Sequence, residues 1–115
     1  MLAKESRLLA AEDFRSTMKS GRKSSTTNLV VYSKRDSDLV RSRFGFVVSK
    51  AVGGAVTRNL IKRRLRAMAR ASLAALPPGT SVVVRALPGS AAVDWNTLSK
   101  EFNLALSKSL DGRQT

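Results

Sequence analysis

The sequence predicts an α+β protein, a two-layer α/β sandwich in which three helices pack on a small mixed sheet of about four strands, and three observations carry that expectation. Segments with apolar residues at helical spacing alternate with short runs rich in β-branched and aromatic residues. Gly, Pro and Asp clusters punctuate the boundaries between them. The chain has 115 residues and 43% apolar content, which suits one domain and one core that removes roughly two thirds of the unfolded surface from water. Helices alternating with a small sheet bury their apolar stripes against one sheet face, and that is the two-layer solution.

The first helix is expected from Ala11 to Lys19, with Glu12 and Asp13 at its positive end and Gly21 as its stop. A short strand near Arg22 to Thr26 is optional. Asn28 to Ser33 and Phe44 to Ser49 read as strands, and Arg35 to Arg43, with Asp36-Ser37-Asp38, reads as the turn that pairs them into a hairpin. Gly53-Gly54 breaks the chain before a long helix from Ala55 to Leu76, which Pro77-Pro78-Gly79 terminates. Ser81 to Arg85 is a further strand and Leu87-Pro88-Gly89 a turn. Asp94 to Leu110 is a last amphipathic helix with Trp95, Leu98, Phe102, Leu106 and Leu110 at helical spacing. The order is α-β-β-(β)-α-β-α in a single domain spanning 1–115, with a frayed tail at 111–115.

Charge says most about function. Lys+Arg number 21 against Asp+Glu 8, a net +13, and the chain has no Cys and no His. Without Cys there is no disulfide framework, thiolate nucleophile or zinc ribbon, and without His the commonest neutral-pH acid/base is missing. A protein-borne nuclease would need carboxylates holding metal ions, and Asp36-Ser37-Asp38, beside Arg35 and Arg41, reads as a solvated turn instead. The balance of charge points to a polyanionic partner. No run approaches the roughly 20 apolar residues that cross a bilayer, and the N-terminus lacks a secretory signal, so neither a membrane partner nor export is expected and the cytoplasm is the expected location. No helix-turn-helix pair or basic zipper points to DNA.

From Leu39 to Val93 there is no Asp or Glu. On a helical wheel started at Arg58, Lys62 falls at about 40°, Arg66 at about 80°, Asn59 at about 100°, Arg70 at about 120° and Arg63 at about 140°, while Ile61, Leu65 and Met68 lie at about 280° to 340°. Arg64, at about 240°, sits apart. Five cations on one strip, with no carboxylate at i±3 or i±4, repel one another by a few tenths of a kcal/mol per pair. The strip gains if each cation neutralises a phosphate, which Arg does with a two-pronged donor fork. Asn59 adds an amide suited to a sugar or base. Gly53-Gly54 reads either as a plain connector or as a place where N–H groups at the helix start approach a phosphate.

Phe44-Gly-Phe-Val-Val-Ser-Lys50, then Val52-Gly53, Ala55-Val56 and Arg58-Asn59-x-x-Lys62-Arg63-x-x-Arg66 form a long ordered signature that resembles the protein subunit of bacterial ribonuclease P. Arg7-Leu8, Glu12-Asp13-Phe14, Gly21 and Val30-x-Tyr32 also sit where that family has them, so the likeness covers about Arg7 to Leu110 and is specific from Phe44 to Arg66. It implies a ribosomal protein S5 domain 2-like fold with a left-handed β-α-β crossover, against the general right-handed preference. It also implies an accessory protein whose large RNA partner, working with Mg²⁺, removes the 5′ leader of precursor tRNA, and no cofactor bound by the protein itself. The residues matching the family's RNA-subunit helix are Arg58, Asn59, Lys62, Arg63 and Arg66, with Arg70 continuing the strip. Those matching its leader cleft, between the first helix and an exposed sheet face, are Phe14, Val30, Tyr32, Val47, Ser49 and Lys50, with Met18 as a further wall residue of that cleft. Taken singly, Phe14 and Tyr32 read as core, and the resemblance reverses that; aromatic faces stack on bases without demanding a sequence.

Three positions depart from the family pattern. Leu60 stands where the Arg-Asn-Arg run has its last Arg, either weakening a peripheral phosphate contact or leaving Arg64 to replace it. Met18 stands where many members have a second aromatic, and Ala51 replaces the second Lys of a common Lys-Lys pair. A ribosomal or RNA-chaperone-type binding protein would share the charge and fold class; the signature from Phe44 to Arg66 separates the two.

Overall fold

Alternation along the strands decides the layers. The structure, a computed structural model, describes residues 6–8, 10–36 and 41–110, with α1 at Ala11–Ser20, β1 at Arg22–Ser25, β2 at Leu29–Arg35, β3 at Arg43–Val48, α2 at Ala55–Ser72, β4 at Thr80–Ala86 and α3 at Trp95–Leu110. Leu29 and Val31 of β2, Phe44 and Val48 of β3, and Val82, Val84 and Ala86 of β4 face one way and bury against Ile61, Leu65, Met68 and Ala69 of α2 and Leu98, Phe102, Ala105 and Leu106 of α3. Phe44 stacks between Phe46 and Phe102, with ring centroids 6.2 and 6.1 Å away. The opposite face carries Val30, Tyr32 and Val83, which pack with Leu8, Phe14 and Met18.

The four strands form one mixed sheet in the order β1-β2-β4-β3. β1 and β2 are antiparallel, as are β2 and β4, and β3 runs parallel to β4. The expected hairpin between the second and third strands is therefore replaced. β2 pairs with the optional strand, which is real, and with β4; β3 reaches the sheet by pairing with β4 through the α2 crossover. The physical reason lies in β4, whose Val82, Val83 and Val84 are all fully buried: a strand apolar on both faces belongs in the middle of a sheet. Polar β1, Arg-Lys-Ser-Ser, suits an edge. At the other edge Leu8 N donates to Phe44 O at 2.8 Å, so the N-terminal segment partly covers β3.

The α2 helix ends at Ser72 rather than Leu76, and Leu73–Ala75 tightens into a 3₁₀ turn. Leu76 is extended, with ψ 141°, as the residue before a proline must be. The turn at Leu87-Pro88-Gly89 continues as a 3₁₀ segment, Pro88–Ala92. Asp94 Oδ1 accepts the Thr97 N–H at 2.8 Å and starts α3. Glu101 of α3 clasps the β1–β2 turn: its carboxylate accepts the Thr26 hydroxyl at 2.6 Å, the Asn28 backbone N–H at 2.8 Å and the Asn28 amide at 2.7 Å. The expected frayed tail at 111–115 and the Ser37-Asp38 part of the expected turn lie outside the described residues.

Candidate nucleic-acid interface

The α2 strip has the disposition the wheel predicts. Ile61, Leu65 and Met68 are buried in the core, which turns the opposite arc outward: Asn59, Arg63 and Arg70 are exposed, and Arg58, Lys62 and Arg66 half-buried. Among the described residues no carboxylate lies within ion-pair distance of these cations. Arg58 Nε donates to Gly53 O at 3.1 Å, fixing the first cation against the helix start. Gly53 itself has φ 157°, which side chains with a Cβ rarely adopt. The first turn of α2 has no acidic residue and no side-chain cap, so its orphan N–H groups are open to water or an anion. Arg64 lies apart, donating to Val93 O at 3.5 Å, and Leu60 beside it is 37% exposed.

The α1 helix closes over the second sheet face. Asp13 pairs with Arg43 at 3.5 Å and Lys34 Nζ donates to Ser16 Oγ at 2.6 Å, tying the helix to β3 and β2. Phe14 drops onto Gly45: a Cβ there would stand 2.6 Å from the ring carbons Cε2 and Cζ. The glycine in Phe44-Gly45-Phe46 thus makes room for the ring. Of the residues assigned to the cleft, Phe14, Met18 and Val47 are half-buried and Ser49 and Lys50 exposed. Val30 and Tyr32, expected on an exposed face, are each only 7% exposed, because α1 and neighbouring side chains cover them. They belong to the buried layer beneath α1, and of the residues assigned to the cleft it is Phe14, Met18, Val47, Ser49 and Lys50 that keep accessible surface.

The strip and the cleft meet. A cavity of about 150 Å³ is lined by Arg7, Lys62 and Arg66 together with Phe14 and the β3 residues Phe44 to Phe46. The Nε atoms of Arg7 and Arg66 are buried with no hydrogen-bond partner. Buried donors left unpaired cost on the order of 1–3 kcal/mol each, and an anion entering the cavity would satisfy them with charge-assisted bonds. A larger cavity of about 540 Å³ lies toward the other sheet edge, among Arg22, Lys34, Arg35 and the end of α3; none of the residues matched by sequence lines it.

Two contributors escape a reading by sequence. Arg7 serves there only as a landmark, and nothing in its neighbourhood along the chain signals that it meets α2. Arg85 registers only as one of many cations, although strand alternation from Val83 places it on the cleft face.

The sequence model of the family described as Ribonuclease P matches residues 2–110. The ribonuclease P protein component of Clavibacter michiganensis subsp. michiganensis is 42% identical over 110 residues, covering 96% of this chain and 97% of that protein. That of Streptomyces griseus subsp. griseus is 46% identical over 120 residues, covering 97% and 98%. Among solved structures, a Staphylococcus aureus RNase P protein mutant with defective mRNA degradation activity superposes with a TM-score of 0.84 at 25% identity, covering 90% of this chain and 87% of that one. A basic helix and a sequence match over residues 2–110 converge: the chain belongs to the ribonuclease P family, as a protein component of that tRNA-processing ribonucleoprotein.

Proposed function

We propose that α2 docks on the RNA subunit of ribonuclease P, that the cleft beneath α1 holds the 5′ leader of precursor tRNA, and that the RNA subunit with Mg²⁺ performs the cleavage. The observation that carries this reading is the small cavity where Arg7, Lys62 and Arg66 surround the inner side of Phe14. A phosphate held there touches both surfaces, so the two RNAs are brought to one seam. Arg58, Asn59, Arg63 and Arg70 then engage the RNA subunit along the exposed arc, each neutralised phosphate releasing condensed counterions. Phe14 and Met18 offer apolar contact to unpaired leader bases over the floor of Val30 and Tyr32, while Ser49 and Lys50 take its backbone. Lowered repulsion between precursor and catalyst lets them associate with less Mg²⁺.

The chain supplies little for chemistry of its own: it has no His and no Cys, and among the described residues no three carboxylates gather where they could hold a metal ion. Mg²⁺ therefore belongs, in this reading, to the RNA-containing holoenzyme. No helix among the described residues is long and apolar enough to cross a membrane, and we place the protein in the cytoplasm with its RNA.

The test is cleavage of a precursor tRNA with a natural leader by a bacterial ribonuclease P RNA, at low Mg²⁺ and near-physiological salt, with and without this protein. Stimulation that fades when the leader is cut to one nucleotide is the expected result. Tight, salt-sensitive RNA binding without stimulation would favour a ribosomal or chaperone-type role. The Staphylococcus aureus neighbour is described as a mutant with defective mRNA degradation activity, which makes a second arm necessary: the protein alone is expected to cleave neither precursor nor messenger RNA, and turnover by RNA-free material would overturn the assignment of catalysis to the RNA subunit.

A further inference from the structure

We propose that Arg85, on the central strand β4, holds a leader phosphodiester and carries the leader's backbone across the sheet from Lys50 toward Lys23. The proposal rests on the reading that this face receives the leader. Arg85 sits in register between Val30 of β2 and Val47 of β3. Its neighbours in β4, Val83, Val84 and Ala86, are buried, whereas Arg85 is exposed. Among the described residues no hydrogen bond or ion pair engages its guanidinium. A cation in the middle of an apolar row costs little while water covers it. A strand of RNA laid over that row removes the water, and a covered, uncompensated charge is costly. Whatever lies there must bring an anion, and in a nucleic acid that is the phosphodiester; a base edge supplies acceptors without charge.

The neighbouring rows give the path. Lys23 of β1 is exposed opposite Tyr32, and Lys50 is exposed just past the end of β3. The sheet order β1-β2-β4-β3 puts Arg85 between them, one strand from β3 and two from β1, so the three cations are spread over about 14 Å across the strands at ~4.8 Å per strand spacing, and the register offsets them along the strands too, Lys23 being level with Val83 and Lys50 three residues past Val47. The leader then crosses the sheet obliquely.

The experiment measures binding of precursor and mature tRNA to the reconstituted holoenzyme as a function of salt, for wild type, Arg85→Met, Arg85→Lys and, as a control, Lys108→Ala on α3. Arg85→Met keeps an unbranched apolar stem opposite Val30 but removes the charge. Loss of one charge-assisted contact predicts about tenfold weaker precursor binding, unchanged mature-tRNA binding, and a salt slope lower by about one unit, with Arg85→Lys restoring most of it. Thermal unfolding of the free variants checks that each is folded. Wild-type precursor affinity in Arg85→Met overturns the proposal, because the stem alone then suffices. A loss confined to leaders of one base sequence also overturns it, since a phosphate contact is indifferent to sequence. If the wild-type holoenzyme itself ignores the leader, it is the underlying reading of this face that fails.

Discussion

Gly45→Ala tests the seam between α1 and the sheet. The added Cβ would lie 2.6 Å from Phe14 Cε2 and Cζ and 3.1 Å from Leu8 Cβ, whereas carbon atoms pack at about 3.5–4.0 Å. The ring must retreat by about 1 Å. It can go into the adjoining cavity of about 150 Å³, crowding Arg7 and Arg66, or lift α1 against its ties through Asp13–Arg43 and Ser16–Lys34. Because the obstacle is a half-buried side chain rather than backbone, the expected cost is about 1–2 kcal/mol, the lower part of the overpacking range. Chemical denaturation measures it, with Gly54→Ala as the control, since a Cβ at Gly54 meets nothing within 4 Å. In the reconstituted holoenzyme, Gly45→Ala is expected to lower the preference for precursor over mature tRNA several-fold while changing affinity for the RNA subunit much less, since the exposed arc of Asn59, Arg63 and Arg70 lies away from the cavity. Wild-type stability together with wild-type precursor preference would show that Phe14 does not occupy this position and refute the account of the cleft.

Other perturbations separate the remaining parts. Arg58→Ala or Lys62→Ala is expected to weaken RNA-subunit binding and to lower its salt slope by about one unit per lost phosphate contact, whereas Arg64→Ala, on the other side of α2, leaves the slope unchanged; equal slopes for all three would remove the strip from the interface. Tyr32→Ala, emptying a floor position that is 7% exposed, is expected to cost about 3–5 kcal/mol in urea unfolding, and a change in leader binding without that loss would mean the ring is accessible after all. Glu101→Gln weakens the clasp on the β1–β2 turn by about 1–3 kcal/mol. Burial pushes the Glu101 carboxyl up, but the bonds from Thr26 and Asn28 outweigh it and hold the group below its ordinary value of 4.5. Its contribution is thus complete above that value and lost as pH falls through the depressed one. A wild-type acid-unfolding curve that coincides with that of Glu101→Gln in this range would count against the clasp.

The α2 strip is legible in sequence because it is local: one helix, one period, and cations whose angular positions follow from residue number alone. The same holds for the core stripe of Ile61, Leu65 and Met68 and for the helix α1, whose bounds differ from expectation by a single residue. Pairing of the strands is not local. Nothing between Asn28 and Ser49 says that β2 will prefer β4, more than forty residues onward, to its successor; the sign of it is the doubly buried Val82-Val83-Val84 run, whose meaning as a central strand emerges only when all four strands compete for neighbours. Accessibility of the cleft is decided the same way. Residue type makes Tyr32 and Phe14 alike as stacking surfaces, yet the approach of α1 buries one and half-exposes the other.

Fold class, the excess of positive charge, the basic helix and, through its signature, the family are legible before the chain folds, because composition and helical spacing are properties of the unfolded chain. Tertiary structure alone decided that Arg7 meets Lys62 and Arg66 around one cavity, that Gly45 yields its space to Phe14, and that Arg85 stands alone on the cleft face between two valines. Each of these depends on distances between segments remote in sequence, and those distances are set by burying a shared apolar core.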